Sequence, residues 1–141
     1  MTTIVYYKGE IACDSRTTAG GTIKSDSADK RCIAQGHQFF LAGSHSDMPQ
    51  FVDAFLNGTN YGELDVHAIV VTPDRKVYLA AADDDGAVWR SLVSPDDPTA
   101  IGSGSHHAVT AIDCGCTVRE AVKMAIKRDS CSGGKIRVYK V

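Results

Sequence analysis

The sequence lacks the features that mark membrane, secreted and nucleic-acid-binding proteins. No apolar run approaches the ~18 residues of a membrane span. The start, MTTIVYYKGE, has no basic segment followed by an apolar stretch, as a secretory signal would. The net charge is only −2 at pH 7, which gives no electrostatic reason to bind nucleic acid or an anionic membrane. We therefore expect a cytoplasmic protein that binds neither of these partners.

Cysteine occurs at five positions, an odd number that does not form a complete set of disulfides. In a cytoplasmic chain these residues are expected to be reduced thiols. The pair Cys114 and Cys116, with His106 and His107 upstream, raises the alternative of a zinc site. The spacing between the two cysteines is tighter than the usual C-x₂₋₄-C, and no second pair follows at the spacing of a zinc finger. We expect no metal and no other cofactor.

Two common catalytic signatures are also missing. No G-x-S-x-G sequence occurs, which argues against a serine hydrolase with a histidine base. The segment 102–105, GSGS, precedes a predicted helix, but it lacks the Lys-Ser/Thr of a P-loop and does not make G-x-G-x-x-G. Nucleotide binding is therefore not expected.

The length of 141 residues is that of one domain, which we place at residues 1–141, and no internal repeat or linker divides it. Runs of β-forming residues separated by turn residues predict two hairpins and a meander. The first hairpin joins 3–7 to 10–14 through Lys8-Gly9, the second joins 31–34 to 38–42 through Gly36-His37, and the meander covers 66–72, 77–82 and 87–92.

Helical periodicity appears in three other segments. The first helix is predicted from Met48, Phe51, Val52, Phe55 and Leu56, with Ser46 as its cap and Gly58 as its stop. The second is predicted around 108–112 and ends at Gly115, and the third begins at the capping box 117–120 and precedes a strand near 136–139. This order of elements predicts an α+β fold in which two sheets pack together with helices outside.

The strongest chemical signal lies at the start of the chain. Removal of Met1 would expose Thr2, whose hydroxyl and α-amine then belong to the same residue. A free α-amine titrates near 7.7, so part of it is neutral at cellular pH and able to accept the hydroxyl proton. Thr2 would thus be a nucleophile that carries its own base.

Further motifs follow Thr2 in order along nearly the whole chain. Lys30 follows Asp14 by 16 positions. The motifs are Thr2-Thr3-Ile4-Val5, Ile11-Ala12-Cys13-Asp14-Ser15, Asp29-Lys30, Leu41-Ala42-Gly43, Ile101-Gly102-Ser103-Gly104-Ser105, and Arg128-Asp129 with Ser132-Gly133-Gly134. Together they resemble the proteasome β-subunits and the bacterial HslV peptidase, which are N-terminal-nucleophile hydrolases. The resemblance implies a four-layer αββα sandwich.

The resemblance also implies a threonine-type endopeptidase in which Thr2 is the nucleophile. Lys30 would stabilise negative charge that develops on the hydroxyl, and Asp14 would keep this lysine charged and oriented. Gly43 would supply the backbone N–H of an oxyanion hole, since glycine allows close approach of a substrate carbonyl. The family's network around the α-amine is matched by Ser103, Asp129 and Ser132.

Substrate and partners follow from the same resemblance. The substrate-binding residues beside the scissile bond would be Thr17, Thr18, Ala28, Cys32, Leu41 and His45, which form a small, mixed pocket. The implied partners are a peptide or unfolded-protein substrate, further copies of the chain in a homo-oligomeric ring, and a separate ATPase unfoldase. Between Asn57 and Val66 the chain has a short polar connection where the family usually has more helix, so we expect one helical layer to be shortened.

Other interpretations stay open at this point. Asp14 and Lys30 also suit an ordinary ion pair between strand ends, of a kind that contributes little to stability. The shortened helical layer favours a catalytically silent or specialised assembly or binding protein on the same fold. A third alternative is an amidase of this class that acts on a small substrate.

Overall fold

The computed structural model describes residues 2–141, and the predicted removal of Met1 therefore lies outside the described residues. The chain divides into two compact units, of which the first comprises the residues up to Lys30 with Ser94–Val141 and the second comprises Arg31–Val93. The expectation of a single domain stays a prediction. Across the part of the chain that is described, no helix has the length and apolarity needed to cross a membrane.

Three helices and eleven strands are formed by residues 2–141. The helices are α1 (Met48–Asn57), α2 (Ser105–Asp113) and α3 (Val118–Arg128), and a 3₁₀ turn at His45–Asp47 precedes α1. The strands are β1 (Ile4–Tyr7), β2 (Glu10–Cys13), β3 (Thr17–Ala19), β4 (Thr22–Ser25), β5 (Arg31–Ala34), β6 (His37–Gly43), β7 (Val66–Val71), β8 (Val77–Ala82), β9 (Val88–Leu92), β10 (Thr99–Ile101) and β11 (Arg137–Lys140).

The first unit is built on a four-stranded antiparallel sheet in the order β10-β1-β2-β11. The predicted hairpin of β1 and β2 is confirmed, with Ile4 opposite Cys13. Its two-residue turn places Lys8 at φ 45° and Gly9 at φ 79°, and positive φ at both positions matches the twist of the flanking strands. In this strand order β1 lies in the middle of the sheet, between β10 and β2. The residue directly before β1 is Thr3.

Helices α2 and α3 pack on one face of this sheet. Ala108, Ala121 and Ala125 are fully buried there, against Val5 and Ala12 of β1 and β2. The predicted capping box of α3 is confirmed. Thr117 and Glu120 each accept a hydrogen bond from the other's backbone N–H, at 3.2 and 2.9 Å.

The second unit is a five-stranded antiparallel sheet in the order β5-β6-β7-β8-β9, and it confirms the predicted meander. Helix α1 covers one face, where Phe55 meets Phe39 edge to face with ring centroids 5.3 Å apart. The helix ends at Gly58 as predicted, at φ 75°. Of the described residues, 58–65 form no helix, so this unit has a single helix of ten residues. The predicted shortening of one helical layer is seen here.

Three details of the prediction were wrong. Asp47, rather than Ser46, precedes α1, because the 3₁₀ turn occupies the residues before it. The turn of the second hairpin is formed by Gln35 and Gly36, both at positive φ, and His37 already belongs to β6. Strands β3, β4 and β10 were not predicted. The first two form a largely exposed ribbon with no apolar alternation, and β10 has three residues, which is too short for a period to be seen.

Candidate active site

The structure brings Lys30 and Thr2 into direct contact within the first unit. The Nζ of Lys30 donates to the Oγ1 of Thr2 at 2.5 Å and to the backbone carbonyl of Arg16 at 2.7 Å. Thr2 is 4% exposed, and the Lys30 side chain is 7% exposed. A lysine ammonium is thus held against a threonine hydroxyl in a site almost closed to solvent.

Asp14 lies beside this pair and is fully buried. Its Oδ1 is 3.6 Å from the Nζ of Lys30. The carboxylate also accepts three backbone N–H groups, from Thr3 and Gly133 at 3.0 Å and from Arg16 at 3.3 Å. Hydrogen bonds of this kind favour the charged form of a carboxylate. Thr3 and Gly133 lie 11 and 119 positions from Asp14, so Asp14 joins their segments to its own.

Burial governs the proton affinity of Lys30. The loss of solvent around its ammonium lowers the pKa of Lys30 below the ordinary lysine value, and the nearby Asp14 charge opposes this effect in part. The neutral amine is therefore more populated at a given pH than it is in an exposed lysine. An ordinary surface ion pair would not have this property, because solvent would screen both charges.

A second network surrounds Asp129, which follows α3. Ser103 and Ser132 each donate a hydroxyl hydrogen bond to Oδ2 of Asp129 at 2.6 Å, and the backbone N–H of Cys131 donates to Oδ1 at 3.2 Å. Partial burial raises the pKa of Asp129, but the hydrogen bonds from Ser103 and Ser132 outweigh it and lower that pKa below the ordinary value. The carboxylate is therefore an anion held by two hydroxyls.

Two residues of the site were missed by the sequence analysis. Thr3 is fully buried, and its Oγ1 is 2.7 Å from the Oγ of Ser132. The guanidinium of Arg16 pairs with both carboxylate oxygens of Asp26 at 2.8 and 3.1 Å and donates to the Ser130 carbonyl at 3.3 Å. Thr3 looks like an ordinary strand-forming residue and Arg16 like a surface charge, so neither sequence pattern indicated a site.

Segment 102–105 approaches the start of the chain closely. Gly102 has φ +95°, and a Cβ added there would collide with the backbone carbonyl of Thr2. A Cβ at Gly104 would collide with the Oγ1 of Thr3, and the N–H of Gly104 donates to the Thr2 carbonyl at 3.3 Å. The two glycines are therefore required by close packing against Thr2 and Thr3.

The remaining predicted residues are divided between the two units. Thr17 and Thr18 lie on β3 and Ala28 two positions before Lys30, all in the first unit. Gly43, Cys32, Leu41 and His45 belong to the second unit. Leu41 is buried in β6, Cys32 on β5 and His45 are exposed, and Gly43 ends β6 at φ +123°. The predicted oxyanion hole and substrate pocket stay predictions.

Within residues 2–141, no three His, Cys, Asp or Glu residues lie close enough together to hold a metal ion. Cys114 is exposed and Cys116 half-buried at the end of α2, and both are free thiols.

Comparison with solved structures identifies the fold. A crystal structure of eukaryotic HslV from Trypanosoma brucei matches with a TM-score of 0.72 and 21% identity, over 99% of this chain and 100% of that one. This chain has the HslV fold. BPH from Thiobacillus denitrificans matches at TM-scores of 0.71, in complex with epoxomicin, and 0.70, both at 19% identity over 99% of this chain and 97% and 96% of that one. No protein-family model matches the sequence, and no curated protein does.

These matches confirm the fold predicted from the motifs, an α+β arrangement of the HslV and proteasome type. The sequence identities of 19–21% are low, so the fold is retained while most side chains differ. The similarity therefore shows the fold of this chain.

The site predicts an abnormal titration of Lys30. Its ammonium should deprotonate at a lower pH than an ordinary exposed lysine does, because burial disfavours the charge. Below the folded-state pKa, the buried charge costs stability. That cost disappears as the pH rises towards the pKa of the unfolded chain, so the contribution of Lys30 to stability rises with pH across this window. NMR titration of the lysine ¹³Cε signals measures the pKa of Lys30, and a pKa at or above the ordinary lysine value would contradict the prediction.

Proposed function

We propose that the chain is an N-terminal threonine endopeptidase that hydrolyses peptide bonds with Thr2 as its nucleophile. The observation that carries the proposal is the 2.5 Å hydrogen bond from Lys30 to the Thr2 hydroxyl, in a buried site that also holds Asp14. An ammonium aimed at a hydroxyl stabilises the alkoxide that forms when the hydroxyl attacks. A buried ion pair that served stability alone would not need to contact the hydroxyl of Thr2.

The proposed reaction begins with loss of Met1, which frees the α-amine of Thr2. The neutral amine accepts the proton of Oγ1, directly or through one water, while the oxygen attacks the carbonyl carbon of a peptide. Lys30 stabilises the negative charge developing on Oγ1, and the N–H of Gly43 stabilises that on the carbonyl oxygen. The tetrahedral intermediate then expels the amine of the leaving peptide, which takes up the proton. Water hydrolyses the resulting ester and restores Thr2.

The other proposed residues position these groups. Asp14 keeps Lys30 charged and oriented, and Ser103, Asp129 and Ser132 orient the α-amine. The anionic state of Asp129, held by two hydroxyls at 2.6 Å, suits this role because an anion attracts the protonated amine. The proposed substrate-binding residues are Thr17, Thr18, Ala28, Cys32, Leu41 and His45.

The proposed setting is a cytoplasmic, homo-oligomeric ring that encloses its active sites and takes peptides or proteins unfolded by a separate ATPase. Enclosure would protect other proteins from a nucleophile of low specificity. One side of α1 supports an assembly, because Met48, Val52 and Leu56 are only half-buried beside the core residues Phe51 and Phe55. Apolar side chains left at the surface in this way are typical of a contact with a neighbour.

One observation favours a second candidate. Helix α1 is the one α-helix of the second unit, whose residues 31–93 are all described. Residues 58–65 form no helix. A subunit altered in this layer could serve as a catalytically silent assembly or binding protein, or as an amidase for a small substrate. A silent role would leave the contacts of Lys30 without an activity to explain them, whereas an amidase would use the same contacts on a smaller substrate.

Loss of the Thr2 hydroxyl should abolish the reaction. The purified protein is expected to lack Met1 by intact mass, and Thr2→Ala should show no peptide hydrolysis while its Tm stays near that of the wild type. Thr2→Ser should keep part of the activity, since it retains a hydroxyl and an amine. Epoxomicin, the ligand of one similar structure, should bind the wild type more tightly than Thr2→Ala. Thr110→Ala, on the exposed side of α2, is the matched control. Turnover by Thr2→Ala above a mock purification would contradict the assignment.

Removal of the ammonium should cost at least ~10²-fold in turnover per folded molecule, because a group that stabilises transition-state charge is lost. This is expected for Lys30→Ala, and Lys30→Arg should not restore activity, since a planar guanidinium does not replace a compact ammonium. Asp14→Asn should be impaired as well. Lys76→Ala, which breaks the exposed pair with Asp74, provides the control. If Lys30→Ala alters stability alone, the pair is merely structural.

The assembly can be measured directly. The subunit has a mass of 15.0 kDa, and we expect a closed homo-oligomer with heterologous contacts around each ring. Light scattering coupled to gel filtration should give a multiple of the subunit mass at micromolar concentration. A Val52→Glu variant should reduce that mass, since it places a charge in the half-buried stripe of α1. A wild type that elutes as a monomer would favour the catalytically silent candidate.

A further inference from the structure

Thr3 is bound to both networks of the site. Its backbone N–H donates to Oδ1 of Asp14 at 3.0 Å, and its carbonyl accepts from the N–H of Asp14 at 3.1 Å. Its side-chain Oγ1 meets the Oγ of Ser132 at 2.7 Å. Thr3 thus links the carboxylate that faces Lys30 to the chain of hydroxyls that ends at Asp129. Neither the hydroxyl of Thr3 nor its backbone groups take part in the proposed reaction.

Counting protons fixes the direction of the hydrogen bond between Thr3 and Ser132. Each hydroxyl has one proton, and that of Ser132 is already donated to the carboxylate of Asp129 at 2.6 Å. The 2.7 Å bond must therefore run from the Thr3 hydroxyl to the Ser132 oxygen. The result is a directed chain from Thr3 through Ser132 to an anion, and successive bonds in such a chain polarise and strengthen each other.

The covalent connection of Thr2 makes this anchor important. Once Met1 is removed, Thr2 is attached to the rest of the protein through Thr3 alone. The carbonyl of Thr2 accepts a 3.3 Å hydrogen bond from Gly104, and its hydroxyl, which must react, accepts one from Lys30. The position of the nucleophile therefore depends on how firmly Thr3 is held.

We propose that Thr3 is a positioning residue, whose hydroxyl bond to Ser132 fixes the orientation of Thr2 relative to Lys30. This proposal rests on the proposed peptidase function for its catalytic consequence. A reacting atom misplaced by about 1 Å is enough to lower a rate by ~10²-fold, although no reacting group has been removed.

Two substitutions distinguish the effect of the Thr3 hydroxyl from the effect of the side chain's shape. Thr3→Val keeps the branched side chain and loses the hydroxyl, whereas Thr3→Ser keeps the hydroxyl and loses the methyl group. The matched control is Thr99→Val, which changes a half-buried threonine on β10 of the same sheet. If the bond to Ser132 acts as proposed, kcat should fall about 10- to 100-fold in Thr3→Val with KM within about twofold. Thr3→Ser should keep most of the activity, and Thr99→Val should resemble the wild type.

NMR methyl relaxation of Thr2 in threonine-labelled protein measures how firmly the Thr2 side chain is held, and it needs no substrate. The Thr2 methyl should become more mobile in Thr3→Val than in the wild type and in Thr99→Val. Ser132→Ala breaks the same hydrogen bond from the other side, so it should also loosen the Thr2 methyl even if Thr3→Val does not fold.

The outcomes distinguish the two proposals. A wild type without peptidase activity contradicts the proposed function, while the relaxation data still decide the role of Thr3. If the Thr2 methyl is equally ordered in the wild type and in the variants that lack the Thr3–Ser132 bond, Thr3 does not position Thr2. The same conclusion follows if Thr3→Ser loses as much activity as Thr3→Val, because packing of the side chain would then explain both losses.

Discussion

Burial of the Lys30 ammonium is the constraint on which the first unit depends. A charge that leaves water costs several kcal/mol unless an opposite charge and hydrogen bonds compensate it. Asp14 supplies the opposite charge, and its own carboxylate is held by backbone donors from Thr3, Arg16 and Gly133. The pair therefore requires the start of β1, the residues just after Asp14 and the loop around Gly133 to be correctly placed at once. Any displacement of one segment leaves a buried charge with fewer partners, which links the accuracy of the fold to the accuracy of the site.

Much of the site is built from the main chain. Lys30 binds the carbonyl of Arg16, Asp14 binds three backbone N–H groups, and the carbonyl of Thr2 is held by Gly104. Backbone groups are the same for every residue, so they constrain the sequence only where a side chain would intrude, as at Gly102. This helps to explain how a chain with 21% identity to Trypanosoma brucei HslV keeps a similar fold over its whole length.

The same property explains what the sequence could and could not predict. The β1–β2 hairpin and the capping box of α3 depend on neighbouring residues, so their local patterns were sufficient. The pairing of Asp14 with Lys30 followed from a resemblance, and the structure brings the two together. Thr3 and Arg16 act through contacts with segments more than 100 positions away. No local pattern records such contacts, because their chemistry exists only after the chain has folded.

Strand β1 lies in the middle of its sheet, between β2 and β10, and this has a consequence for biosynthesis. The partners that enclose the first residues are made late, since β10 begins at Thr99 and the loop with Ser132 follows about 30 residues later. Until the ribosome has produced them, the start of the chain has few places to dock. In the folded unit Thr2 is buried. Removal of Met1, which the proposed function requires, would therefore be easiest before these partners are made.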